Sequence, residues 1–416
     1  MIKTYYCAFV AIASASAVLA ACGQSQVPIS PPGFMPKGSV ARTEHAQSSS
    51  YKVLASFDAT SGTNPEGTLL AANGMLYGTT SGGSGSQATG SVFSVTTAGA
   101  LKLLHRFGGT PDGAAPKAGL VNVNGRFYGT TLNGGTYEAG TVFMVTKEGK
   151  EKVLYSFGGG IDGAGPAAPL LDVSGTLYGT TYGGADDGGT VFSVTLEGQE
   201  TVLHRFAGYP NDDGLWPLAP LIDVKGVFYG TTSEGGTVKY GLGGGGTVFS
   251  ITPSGSEKVL YSFNPSQKKG HNGNQHGDGF DPLAPLVNVQ GRLYGTTAYR
   301  ANRGGGGCGT VFSVSASGDE KELHAFHQIP GGCRPTGGLL KVGDMFYGTT
   351  SLGGAYNDGT LFSMTASGKE NVLHSFGYGT DGSNPNGNLI DFHGTLYGTT
   401  SSGGSQGDGT VFALTP

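Results

Sequence analysis

Apolar positions along this chain come in short runs, each closed by glycine, proline, asparagine or serine. No run carries a helical period, and the turn residues recur often enough to predict strands throughout. One unit shows the scheme. Leu170–Val173, Thr176–Thr180, Thr190–Thr195 and Thr201–Phe206 predict four successive strands, with turns at Ser174-Gly175 and Glu197-Gly198. Runs such as Val153-Leu154-Tyr155-Ser156-Phe157 are apolar on both faces, as a sheet covered on both sides requires.

The unit repeats. Tyr-Gly-Thr-Thr begins at Tyr77, Tyr128, Tyr178, Tyr229, Tyr294, Tyr347 and Tyr397, at intervals of 50 to 65 residues. An apolar stretch and a turn precede each copy. A glycine-rich loop and a Gly-(Thr/Ser)-(Val/Leu)-Phe strand follow it, as at Gly140-Thr141-Val142-Phe143. The repeats open with Tyr51–Phe57, a fourth strand without its own first three. They close with Thr410–Thr415, a third strand without its fourth. An open solenoid needs caps at its ends. In a ring the two fragments complete one blade and remove the exposed edges. The pattern therefore predicts an all-β chain folded as a seven-bladed β-propeller of four-stranded blades over residues 51–416. Its closing blade is shared between the N-terminal strand and the C-terminal strands.

Leu-Tyr-Gly-Thr-Thr, the Gly-Gly loop and Gly-Thr-Val-Phe resemble the Gloeo/Verruco (GloVer) tandem repeat of exported bacterial proteins, across residues 51–416. That resemblance implies an exported protein with a surface-anchoring signal. It implies no particular activity.

The chain start agrees with export. Met1-Ile2-Lys3 leads into an apolar run from Ala8 to Ala21, too short for a permanent span and of the length of a cleaved signal. Leu19-Ala20-Ala21-Cys22 resembles a lipobox, which implies residues 1–21 as signal peptide and Cys22 as the lipidated residue. An ordinary signal peptide with an incidental cysteine is the other reading. Residues 22–50, rich in proline and serine, read as a tether. The expected location is the cell envelope, with the outer membrane or cell surface favoured because Gly23 lacks the inner-membrane aspartate.

Composition narrows the partners. Glycine is 78 of 416 residues without a collagen period, and the aromatic content of 10% argues against a disordered chain. A net charge of −5 with no basic patch argues against nucleic acid. No G-x-S-x-G, H-E-x-x-H or Walker-type signature is present. No catalytic residue, cofactor or metal is assigned, and a monomer is expected.

Loops alternate between the two faces of a propeller, so the loop from strand two to three shares a face with the loop from strand four to the next blade. The latter carries Asp-Gly-x-x-Pro at Asp112, Asp162, Asp213, Asp278 and Asp381, replaced at Ser61 and Gly331. Five carboxylates around one rim could hold cations, but Asp-Gly turns with a proline exit explain them as well. The Thr-Thr pairs read as hydroxyls that bond across strands. His105, His204, His324 and His374 stand two before the strand-four Phe, where other copies have Tyr155, Tyr261 or Ala55, and read as packing. His271 and His276 lie in an insertion and read as solvated.

Cys308 and Cys333 remain once Cys7 and Cys22 are set aside. They fall on one face of neighbouring blades, which in an oxidising compartment predicts a disulfide worth ~3 kcal/mol. A binding site is expected where the blades differ, from Asp213, Trp216, Tyr240, Tyr299, Arg300 and Arg303. Flat rings and charged forks suit a glycan or peptide. Packing of Trp216 onto its neighbours competes with this. The functional expectation is a non-catalytic binding or interaction module. A propeller enzyme of lyase or glycan-processing type and a structural envelope protein are the alternatives.

Overall fold

The computed structural model of the chain describes residues 50–82, 89–108, 110–184, 188–208, 212–237, 244–265, 278–300 and 307–416. Among them stand seven four-stranded antiparallel sheets and no helix, the blades of a β-propeller. Blade 3 is Leu171–Val173, Thr176–Thr181, Thr190–Thr195 and Glu200–Arg205, within one residue of the ranges read from the sequence. Blade 7 joins Ile390–Phe392, Thr395–Thr400 and Thr410–Thr415 to Ser50–Ser56, so the ring closes through strands from both ends of the repeats. We number the others in chain order, blade 1 starting at Leu70 and blade 6 at Leu340.

Two phenylalanines per repeat build the core. The strand-three Phe of each blade meets the Phe that ends strand four of the blade before it, with ring centroids 4.8–5.1 Å apart at every junction. Phe57–Phe93 makes this contact across the closure. Room for the strand-three ring comes from the glycine of Tyr-Gly-Thr-Thr. A Cβ on Gly179 would lie 2.5 Å from Phe192 Cζ and 2.9 Å from Leu170 Cδ2.

The threonine pair divides its labour. The second Thr faces the first residue of strand three, as in Thr181 Oγ1 to Thr190 Oγ1 at 2.8 Å, in all seven blades. In six blades the first Thr donates to a carbonyl that leads into the next blade, as Thr180 does to Ala219 at 3.3 Å, whereas Thr349 of blade 6 makes no such bond. Thr399 does the same to Gly67 at 3.3 Å across the closure.

A bulge in strand four shifts its register against strand three after Val142 in blade 2 and at the same place in the other blades. The extra residue, Leu154 in blade 2, reverses the side-chain alternation relative to Val153, and beyond it Tyr155 and Phe157 share one face with their rings 5.1 Å apart.

Each loop that enters a blade pairs with that blade's own loop between strands two and three. Gly214-Leu215 pairs with Glu234-Gly235, and Gly279-Phe280 with Tyr299-Arg300. This pairing puts both loop sets on one face. Cys308 and Cys333 are joined there as a disulfide of sequence separation 25.

Two outcomes follow from this packing. Gly179→Ala overfills the Phe192 pocket at a cost of about 1–3 kcal/mol, and thermal unfolding should register it as a lower Tm. Replacing Cys308 and Cys333 together by serine should lower stability by about 3 kcal/mol in denaturant titration.

Candidate functional site

Two arrangements stand out once the blades are in place: the surface of the paired-loop face, and polar clusters at the blade junctions. On the loop face, the residue before each loop proline holds a left-handed backbone, with φ between 54° and 65° at Asn64, Ala115, Gly165, Trp216, Asp281, Arg334 and Asn384. That backbone suits glycine or asparagine, and a tryptophan there is unusual. The fold imposes the conformation through flanking hydrogen bonds. Trp216 N–H donates to Gly188 O at 2.9 Å, and its carbonyl accepts from Ser233 N–H at 3.0 Å. The indole is thus presented 37% exposed by a rigid loop.

Exposed apolar side chains are not spread evenly. Tyr137, Ile161, Tyr182, Trp216, Ile329, Tyr356 and Tyr378 all lie in loops of this one face. Leu103 is the remaining large exposed one among the described residues, and it sits in an outer strand. Tyr356 and Tyr378 stand 5.8 Å apart with their rings tilted by 37°. The turns of the opposite face carry groups such as Lys147, Glu148 and Asp319.

The sequence-predicted residues separate. Asp213 is buried and accepts hydrogen bonds from Ala207 N–H at 2.9 Å and Gly214 N–H at 2.7 Å, with His204 Nε2 at 3.2 Å. Arg300 is committed to Glu322 through two bonds of 3.1 and 2.9 Å. Tyr299 stacks on Phe280 at 5.3 Å and has the Arg334 guanidinium 5.1 Å above its ring. Trp216 stays on the surface. Tyr240, Arg303, Cys22, His271 and His276 lie outside the described residues. Sequence reading missed Asp281 and Glu234 near this surface. Burial, and then Glu234, push the Asp281 carboxyl up to about 6, while Arg334 opposes the rise.

The second arrangement corrects the reading of the histidines as packing alone. His105, His204 and His374 do pack edge-on against the strand-four Phe. Their Nε2 atoms also lie 3.2, 3.2 and 2.7 Å from Asp112, Asp213 and Asp381 of the Asp-Gly loops. Tyr155 and Tyr261 donate to Asp162 and Asp278 in the same way, at 2.9 and 2.6 Å. The turn aspartate is therefore a receptor for the ring above it as well as a turn former. A glutamate that opens strand four of the next blade completes the cluster.

These glutamates are Glu151, Glu200, Glu257 and Glu320. Burial first, and the neighbouring loop aspartate second, raise their carboxyls to about 7, 7, 7 and 8. Where the loop aspartate is replaced by Gly331, His324 turns to Glu370 at 3.4 Å. At the closing junction all three members are absent together, as Ala55, Ser61 and Leu101. That joint loss is the signal in the sequence that links the three positions.

At the axis, the lead-ins to the inner strands surround a narrow mouth. Glu66 and Lys117 pair there at 3.5 Å, and Thr336 Oγ1 donates to Asn386 Oδ1 at 3.0 Å. Its polar groups are paired with one another.

Blades, closure and loop chemistry define a seven-bladed β-propeller with one aromatic loop face. The chain belongs to the Gloeobacter/Verrucomicrobia repeat family, whose model matches residues 85–275 and 237–412. No curated protein matches it in sequence. Among solved structures it is similar to a gluconolactonase from Xanthomonas campestris, at 15% identity and a TM-score of 0.38, covering 66% of this chain and 78% of that one. It is also similar to a luciferin-regenerating enzyme, at 11% identity and a TM-score of 0.39, covering 88% and 95%.

The junction glutamates make stability depend on pH. Each carboxyl titrates higher in the fold than its ordinary value near 4.5, so the fold favours the protonated form. The resulting stabilisation is complete below about 4.5 and is lost as pH rises through about 7 to 8. Glu200→Gln keeps the shape and removes the charge. Differential scanning calorimetry should show its Tm raised by roughly 1–2 °C at pH 8 and unchanged at pH 5.

Proposed function

We propose that this protein is a non-catalytic binding module of the cell envelope that engages a glycan through its loop face. The observation that carries the reading is the confinement, among the described residues, of exposed tyrosine, tryptophan and isoleucine side chains to that face. Scattered apolar residues need no explanation, but a one-sided set on paired, rigid loops is the pattern of an interaction surface. Flat rings such as Tyr356, Tyr378, Tyr182 and Trp216 offer stacking area at low entropic cost, and surrounding backbone and asparagine groups offer hydrogen bonds. The Cys308–Cys333 bond favours an oxidising setting, in keeping with export and with anchoring through Cys22.

A second reading has its own observation. Glu234 and Asp281 are neighbouring carboxyls on this face, both raised by burial, and perturbed carboxyl pairs mark acid–base sites. It would make the protein a glycan-processing enzyme.

Binding of soluble envelope polysaccharide fragments, followed by Trp216 fluorescence and by calorimetry, separates the readings. The expected result is saturable binding that Tyr356→Ala with Tyr378→Ala, or Trp216→Ala, weakens about tenfold. Asp281→Asn should leave the ligand intact and bound. Cleavage of the fragment that Asp281→Asn abolishes would establish the enzyme instead. Binding unchanged in all the aromatic variants would remove the loop face from the account.

A further inference from the structure

The junction clusters are not equivalent in chemistry. Two of them, His105–Asp112–Glu151 and His204–Asp213–Glu257, bring an imidazole nitrogen and two carboxylate oxygens together, all three donor atoms within 4.8 Å of one another. We propose that these two junctions, between blades 1 and 2 and between blades 3 and 4, each bind a divalent transition ion of the zinc type. The three donors come from three separate elements: an outer strand, the Asp-Gly loop that follows it, and the outer strand of the next blade.

The donor set suits such an ion. One nitrogen with two carboxylates is a zinc-type set, and a half-buried junction leaves a fourth position for water. Calcium or magnesium would ask for six or more oxygens, which the junction does not supply. Zinc–ligand bonds of about 2.0–2.2 Å put donors roughly 3.3–3.5 Å apart, so the side chains need to close by about 1 Å.

A separate observation points to a missing partner. Glu151 Oε1 and Glu257 Oε1 are fully enclosed and have no hydrogen-bond partner. Each faces an aspartate that already accepts from a backbone N–H and from the imidazole. An enclosed carboxylate oxygen beside a second carboxylate is costly unless a proton or a cation lies between them. At the Tyr155 junction Glu200 Oε1 is enclosed in the same way, and there only a proton can serve, because tyrosine replaces the nitrogen donor. The Tyr261–Asp278–Glu320 junction likewise has tyrosine in place of the nitrogen donor, and the junctions of His324 and His374 are incomplete. Gly331 removes the aspartate beside His324, and Tyr51 stands where His374 and Asp381 would need a glutamate.

The repeats themselves supply the test. His105→Tyr and His204→Tyr install the residue that the fold already uses at Tyr155 and Tyr261, so folding should be retained, which circular dichroism checks. Tyr155→His completes a third set with Asp162 and Glu200. Metal-free full-length chain is titrated with Zn²⁺ at pH 7.5 by calorimetry, with Mg²⁺ as the control ion. The expected stoichiometry is two ions for the wild type, one for either single His→Tyr variant, none for the double variant and three for Tyr155→His. Affinity should fall at least tenfold at pH 6, where the ligands must release protons to the metal. Two ions still bound by the folded double variant would place the sites elsewhere and overturn the assignment. No Zn²⁺ uptake by the wild type would also overturn it, and would assign the junctions to protons alone.

Discussion

The contact between two phenylalanine rings at each blade junction is the constraint from which the rest of this propeller follows. A four-stranded blade that is apolar on both faces cannot be stable alone, because each face must be covered by a neighbour. The strand-three ring lies at the centre of that cover, and the glycine of Tyr-Gly-Thr-Thr exists to admit it. Burying one such ring is worth about 1.5–3 kcal/mol, and the edge-on pairing adds about 0.5–1.5 kcal/mol. Repetition at seven junctions, the closure included, makes the ring cooperative. Threonine hydroxyls then satisfy the polar groups that this packing brings inside, within the blade and across to the next one.

Fixing the blades in this way frees the loop face. The entering loop is pinned at both ends of its short ladder, and its proline follows a residue held in the left-handed region. The backbone at that position is constant while its side chain is not. Asparagine, alanine, glycine, tryptophan, aspartate and arginine all occur there. A bulky residue in that conformation carries a strain of order 1–3 kcal/mol, which the loop's hydrogen bonds must over-determine. Trp216 is therefore displayed by a rigid frame, and little ordering entropy remains to be lost when a ligand meets it.

Much of the fold was legible because its signals are local. The Tyr-Gly-Thr-Thr spacing, the Gly-Thr-Val-Phe strands and the split closing blade mark the strand count and the closure directly in the residues. Cys308 and Cys333 could be paired because strand order alone places their loops together. The site was less legible, for physical reasons. Asp213 and Arg300 look like surface chemistry in a loop, yet burial and the partners His204 and Glu322 lie far off in sequence order or on another strand. The strand-four bulge inverts the side-chain alternation midway, so that His105 or Tyr155 turns toward the next blade and its glutamate. No period-two reading of a single strand contains that turn. Asp281 owes its raised carboxyl first to burial and then to Glu234, a neighbour from the preceding blade's loop that only the packing of adjacent blades supplies.

The closing junction bears on what the polar clusters are for. Its strands meet through Ala55 and Leu101, which pack with Phe57 and Phe93 in an apolar cluster, and Ser61 stands where the other loops carry aspartate. The ring closes there with the same ring-to-ring geometry as elsewhere, 4.8 Å against 5.0 Å at the next junction. Ring closure therefore does not require a buried His–Asp–Glu or Tyr–Asp–Glu set. An apolar replacement of a buried ionisable cluster is often neutral or stabilising, so the sets elsewhere are a poor way to gain stability. They are chemically specific arrangements placed between rigid blades. The complete sets differ from junction to junction in the one atom, imidazole nitrogen or phenol oxygen, that decides between holding a metal ion and holding a proton.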